Sequence, residues 1–221
     1  MVSRKANSSS PGHAAGEDSG WKRRSEKRVK PPLGEAQLRD LALHYAARFA
    51  TTAARVEAYL LRKIRERGLA EDADGRTVDV DISALVARLV ELGYVDDDAY
   101  ARMRARDLGG RGYGGRRVEE TLRHAGVGEQ VRRDHAPGEA ASRRAAALMA
   151  QKRRIGPYGA GKNDGGDPLA ARKAHEKAVA AMLRAGHQYD HVRFVLAAAR
   201  IEDIDNWLAE AADAEGTEDQ W

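Results

Sequence analysis

The side chains in this 221-residue chain best suited to chemistry are a run of arginines grouped around one tyrosine. Arg102, Arg106, Arg111, Arg116, Arg117 and Arg123 surround Tyr113, which stands between Gly112 and Gly114. A guanidinium stays charged and forks onto phosphate or carboxylate oxygens, so such a group binds anions. Tyr113 has two readings. It can stack on or anchor in a partner, or it can plug the space between the helices on either side of its turn. A second basic group, Lys152-Arg153-Arg154, closes a later helix. These ten residues are expected to bind a partner or DNA.

The constellations that would imply catalysis or a metal are poor. Gly156 to Lys162 matches the spacing of a phosphate-binding loop, but Asn163 stands where that loop needs Ser or Thr for magnesium. The preceding Gln151 to Arg154 reads as a basic helix end, where the loop requires an apolar strand. His187 and His191 are four apart, yet no Glu follows His187, and Gly186 places His187 outside a helix. They are expected as surface or capping histidines. Asp96, Asp97 and Asp98 lack the alternate spacing and distal Glu of a calcium loop and read as helix caps. With no cysteine, disulfides and thiolate metal sites are excluded. The expectation is a protein without catalytic residues, metal or cofactor.

Charge is distributed in blocks. Residues 1–32 carry eight Lys/Arg against three Asp/Glu, residues 100–133 nine against four, and residues 141–173 eight against two. From 196 onward one arginine faces eight acids. Basic blocks of this kind favour a polyanionic partner, though a solvated helix face has the same composition. No signal peptide and no long apolar run is present, so a cytoplasmic protein is expected.

The elements that must position these residues are helical. Residues 1–32 read as a disordered basic leader. In 33–95, Leu38, Leu41, Ala42, Tyr45 and Phe49 recur at spacings of three and four, as do Val56, Tyr59, Leu60 and Ile64 up to Gly68. Thr51 and Thr52 are candidate caps between them. Residues 70–81 read as a loop, in which Thr77 to Ile82 alternates like a strand without a partner, and a third helix covers 82–92. A second unit, 96–137, has helices near 97–108, 116–125 and 128–135, with Gly109, Gly110, Gly112, Gly114 and Gly115 breaking helical continuity. A third, 138–200, has helices near 139–155 and 168–185 around a glycine-rich insertion, 156–167, and then an apolar helix from Tyr189. Residues 201–221 read as an acidic tail. Leu61-Arg62 precedes Gly68, Leu122-Arg123 precedes Gly126 and Leu183-Arg184 precedes Gly186, with the glycines 58 and 60 residues apart. That period predicts an all-α array of about three tandem three-helix repeats. Each unit can bury its own apolar face, so a monomer is expected.

The central motifs resemble the RecX family, bacterial regulators of the RecA recombinase. Leu92-Gly93-Tyr94-Val95-Asp96-Asp97-Asp98-Ala99-Tyr100-Ala101 looks like the family's Gly, two mostly apolar residues, acids, aromatic and Ala. Arg111-Gly112-Tyr113-Gly114-Gly115-Arg116-Arg117-Val118, Leu122 and Gly126-Val127 are similar to its second segment. The likeness extends loosely over 33–196. It implies an elongated, curved helical array and a non-enzymatic modulator of DNA repair, homologous recombination and the SOS response. Such proteins bind the RecA filament on single-stranded DNA along its groove and restrain its ATPase, strand-exchange and coprotease activities. Some also bind single- or double-stranded DNA directly. No membrane is implied. The competing readings are a helix-turn-helix protein acting on duplex DNA and a nucleotide hydrolase at 156–163.

Overall fold

The computed structural model describes residues 30–159 and 167–218. Most of the basic leader, residues 160–166 of the glycine-rich insertion and residues 219–221 lie outside them. Among the described residues the chain is all-α: ten α-helices and a short 3-10 turn, with two isolated β-bridges.

Apolar residues one turn apart assemble the first three helices, α1 (Glu35–Arg48), α2 (Ala53–Arg67) and α3 (Ile82–Glu91). They enclose a core that includes Leu38, Ala42, Val56, Leu60, Val86 and Leu89. Thr52 caps α2, its hydroxyl accepting from the Arg55 amide at 3.3 Å. The alternating run before α3 forms no ladder. Thr77 bridges Glu71, the Val78 amide donates to the Ala70 carbonyl at 2.9 Å, and Asp81 caps α3.

The second group is α4 (Asp97–Gly110), α5 (Gly115–His124) and α6 (Glu129–Asp134), around Tyr100, Ala101, Leu108, Val118 and Leu122. The glycine run ends α4 as expected, though two residues later than 108: the helix includes Gly109 and closes at Gly110. A glycine costs about 1 kcal/mol in a helix, too little to stop one anchored by buried Leu108. The chain turns only at Gly112, where φ is +87°.

The third group is α7 (Glu139–Arg153), the 3-10 turn Gly156–Gly159, α8 (Pro168–Arg184), α9 (Tyr189–Ala197) and α10 (Ile201–Glu218). The acidic stretch expected as a tail is thus a helix through Glu218. Ile204, Trp207 and Ala211 recur at three and four and are buried, Ile204 and Trp207 in the third core. Glu202, Asp205, Glu210 and Asp213 stay exposed on α10, and the number of acids hid the stripe. Arg143 lies 4.8 Å over the Trp207 ring and donates to its carbonyl at 2.7 Å. Glu215 supplies the cap that Gly138 lacks, accepting from the Ala140 amide at 2.8 Å.

Helix ends join the three cores in the same way twice. The start of α2 meets the end of α5: the Thr52 hydroxyl donates to the Ala125 carbonyl at 2.5 Å, and a Cβ on Gly126 would fall 2.3 Å from that of Ala54. The start of α5 meets the end of α8: the Gly114 amide donates to Ala185 at 3.0 Å and the Arg116 amide to Gly186 at 3.1 Å. In both, the orphan carbonyls of one helix face the start of the next, a favourable alignment of macrodipoles.

Candidate partner-binding grooves

The α8–α5 joint positions four arginines. Arg116, Arg117 and Arg123 project from α5, and Arg184 from the last turn of α8. With Glu119, Glu120, Leu183 and Gly186 they line an open groove of about 610 Å³. Arg117 is tied to Glu120 at 2.7 Å, and that hydrogen bond holds the Glu120 carboxyl below its usual range, with weaker pulls from His124 and Arg123. Glu119 is engaged by Arg132 at 2.9 Å. Arg116, Arg123 and Arg184 make no ion pair among the described residues, so their donors remain available for an external anion.

A second groove, about 460 Å³, opens between α4, α5 and α7. Its floor holds Ala105, Val118, Ala141, Ala145 and Leu148, with Arg106 and Arg144 in its lining. Tyr113 is half-buried there. It packs against both the second and third cores, with Arg111 5.6 Å over its ring. Of its two readings the plug between helices describes the packing, while one side still lines the groove.

The other candidates are dispersed. Arg102 pairs with Asp98 at 2.7 Å, and Asp98 also meets His135 at 2.7 Å. The His135 hydrogen bond, reinforced by Arg102, keeps that carboxyl below its ordinary range. The neighbouring acids are structural too: Asp96 caps α4, and Asp97 accepts from the Ala53 amide at 2.9 Å. Arg111 reaches Asp107 at 3.6 Å. Lys152 donates to the carbonyls of Gly110 and Arg111 at 3.3 and 3.4 Å, closing the end of α4. Arg153 and Arg154 stand at the end of α7 beside His175.

Two groove arginines escaped the sequence reading. Arg184 had a signal, since it occupies in its Leu-Arg…Gly segment the place that Arg123 occupies in its own. Arg144 had none, because nothing in its spacing tied it to α4.

The histidines are not at the surface. His187 is 1% exposed and His191 5%. His187 reaches the Gly112 turn and His191 reaches Glu139 at the start of α7. His187 Nε2 donates to the Gly112 carbonyl at 3.1 Å, which assigns the neutral ring's proton to Nε2. Burial pushes its pKa below the usual 6.5. His191 Nε2 meets Glu139 at 3.1 Å and its ring stands edge-on to Trp207. Gly156 of the near-match phosphate loop packs against α9, where a Cβ would fall 2.5 Å from the Val195 carbonyl oxygen. Ala160 to Asn163 lie outside the described residues.

No protein-family model matches the chain. The regulatory protein RecX of Myxococcus xanthus is 29% identical over 178 residues, which cover 79% of this chain and 91% of that protein. A crystal structure of RecX from Lactobacillus salivarius superposes with a TM-score of 0.55 at 18% identity, over 77% of this chain and 96% of that one. A second crystal structure, of a regulatory protein RecX, gives 0.50 at 18% identity over 72% and 73%. The resemblance carried by the two central motifs therefore holds in sequence, and the all-α fold is shared with solved RecX structures.

Proposed function

We propose that this chain is a non-enzymatic regulator, acting as an inhibitor, of the RecA recombinase, and that it binds along the RecA filament on single-stranded DNA. The observation that carries this reading is the groove between α5 and α8. There two helices from different cores together present Arg116, Arg117, Arg123 and Arg184, three of them without an intramolecular ion pair among the described residues. A surface of this kind fits phosphates or acidic side chains repeated along a filament, where several modest contacts add through effective concentration. The likeness to RecX proteins supplies the partner. No described helix is long and apolar enough to cross a membrane.

The test is co-sedimentation with RecA filaments, together with RecA-dependent ATP hydrolysis and strand exchange. Wild type should bind and slow both activities at micromolar concentration. Replacing Arg116, Arg117, Arg123 and Arg184 with Ala should weaken binding and flatten its salt dependence, since each phosphate contact adds roughly one unit to the logarithmic salt slope. An unchanged dose response in the quadruple variant would clear these arginines of the role. No effect of the wild type would end the assignment.

A further inference from the structure

Glycine is, after proline, the least favourable residue in a helix interior. Gly109 lies in the last turn of α4 and Gly110 is its final residue, with neither a positive φ nor a neighbour to require them: a Cβ at either position would meet nothing within 4 Å. Both face the groove between α4, α5 and α7. Their effect is to leave one wall of it without side chains. The floor beyond is apolar, and Arg106 and Arg144, both exposed, make no ion pair among the described residues. The groove therefore joins a wall free of side chains, an apolar floor and two uncommitted positive charges.

We infer that this groove receives an acidic amphipathic segment of the partner protein, an apolar side chain entering the floor and carboxylates meeting Arg106 and Arg144. The inference rests on the reading of the chain as a RecA-filament regulator and names the chemistry by which the filament's protein, as distinct from its DNA, is held. Charge complementarity excludes a basic occupant such as residues 1–32 of this chain. The composition of the floor argues against a nucleobase, whose polar edge would face Ala, Val and Leu. Tyr113 is already engaged, packed against two cores with Arg111 5.6 Å over its ring. The Ser142 hydroxyl is already spent on the Pro137 carbonyl at 3.3 Å. Phosphates are left to the α5–α8 groove, and the two arginine sets divide the work.

Gly110→Leu places a side chain in the groove at the last residue of α4, where φ is ordinary and a Cβ meets nothing within 4 Å, so the fold is retained. Circular dichroism and the melting curve check that it is. The probes are RecA filaments on oligo-dT and bare oligo-dT. Gly110→Leu should weaken filament binding about tenfold or more, the loss of one buried anchor, while binding bare oligo-dT as wild type does. The double variant Arg106→Glu/Arg144→Glu should match it on filaments. Wild-type filament binding by Gly110→Leu overturns the inference and leaves the proposed function standing. Equal losses on filament and bare oligo-dT make the groove a nucleic-acid site and also overturn it. A wild-type dimer in sedimentation that Gly110→Leu abolishes assigns the groove to a second copy instead. Wild type that never binds filaments removes both readings together.

Discussion

The Arg116 amide donates to the Gly186 carbonyl at 3.1 Å, fastening the start of α5 to the end of α8 through backbone atoms alone. Gly186 has φ +92°, and a Cβ on it would lie 2.4 Å from the Arg117 amide nitrogen. The groove that holds Arg116 and Arg184 exists because that approach is so close.

Gly186→Ala should therefore destabilise the fold by about 2–4 kcal/mol, from the left-handed backbone and the clash together. Gly109→Ala, in a helix with open space around it, should stabilise by about 0.5–1 kcal/mol. Urea unfolding measures both, and equal signs for the two substitutions would refute the distinction drawn between these glycines.

The matching joint at α2 depends on a side chain. Thr52 is fully buried, caps its helix through the Arg55 amide and donates to Ala125. Thr52→Val keeps the shape and removes both bonds. The loss should be about 1–2 kcal/mol, the usual worth of a cap together with the cost of a stranded carbonyl. A thermal midpoint equal to wild type would show that water replaces the hydroxyl without penalty.

The buried His187 ring gives a pH dependence of definite sign. Its folded pKa lies below 6.5, chiefly through burial, with the nearby His191 lowering it further and the Gly112 carbonyl opposing. The unfolded state therefore takes up a proton first. Stability should be complete above pH 6.5 and fall as pH drops below it. The depressed carboxyls of Asp98 and Glu139 act lower, as pH falls below the ordinary 3.8 and 4.5. His187→Gln should flatten the slope between pH 6.5 and 5, as read from denaturation midpoints. A slope that persists unchanged assigns it to another group.

Much of this was legible in the chain, where local rules and tertiary packing agree. Apolar spacing located α1, α2 and α3, though Phe49, read as part of the first stripe, lies just past α1 and is exposed, and Asp81 and Asp96 behave as caps because their side chains act within three residues. Three features were not legible, each for a nonlocal reason. The end of α4 falls at Gly110, two residues past the expected position, held by buried Leu108. The stripe of Ile204, Trp207 and Ala211 was masked by eight surrounding acids, whose charge says nothing about which face they occupy. His187 and His191 looked like surface residues because their burial depends on α7 and the Gly112 turn, remote in sequence. The basic cluster was the least faithful reading. Proximity along the chain grouped Arg102, Arg111 and Lys152 with the groove arginines, whereas these three are engaged by Asp98, by Asp107 and by the carbonyls closing α4.

The joint between α5 and α8 is made by amides, carbonyls and absent side chains, so it asks almost nothing of the residues pointing outward from it. Substitutions on the outer faces of these helices can therefore accumulate without loosening the scaffold. Affinity for one target could be retuned residue by residue, much as the teeth of a key are recut on an unaltered blank.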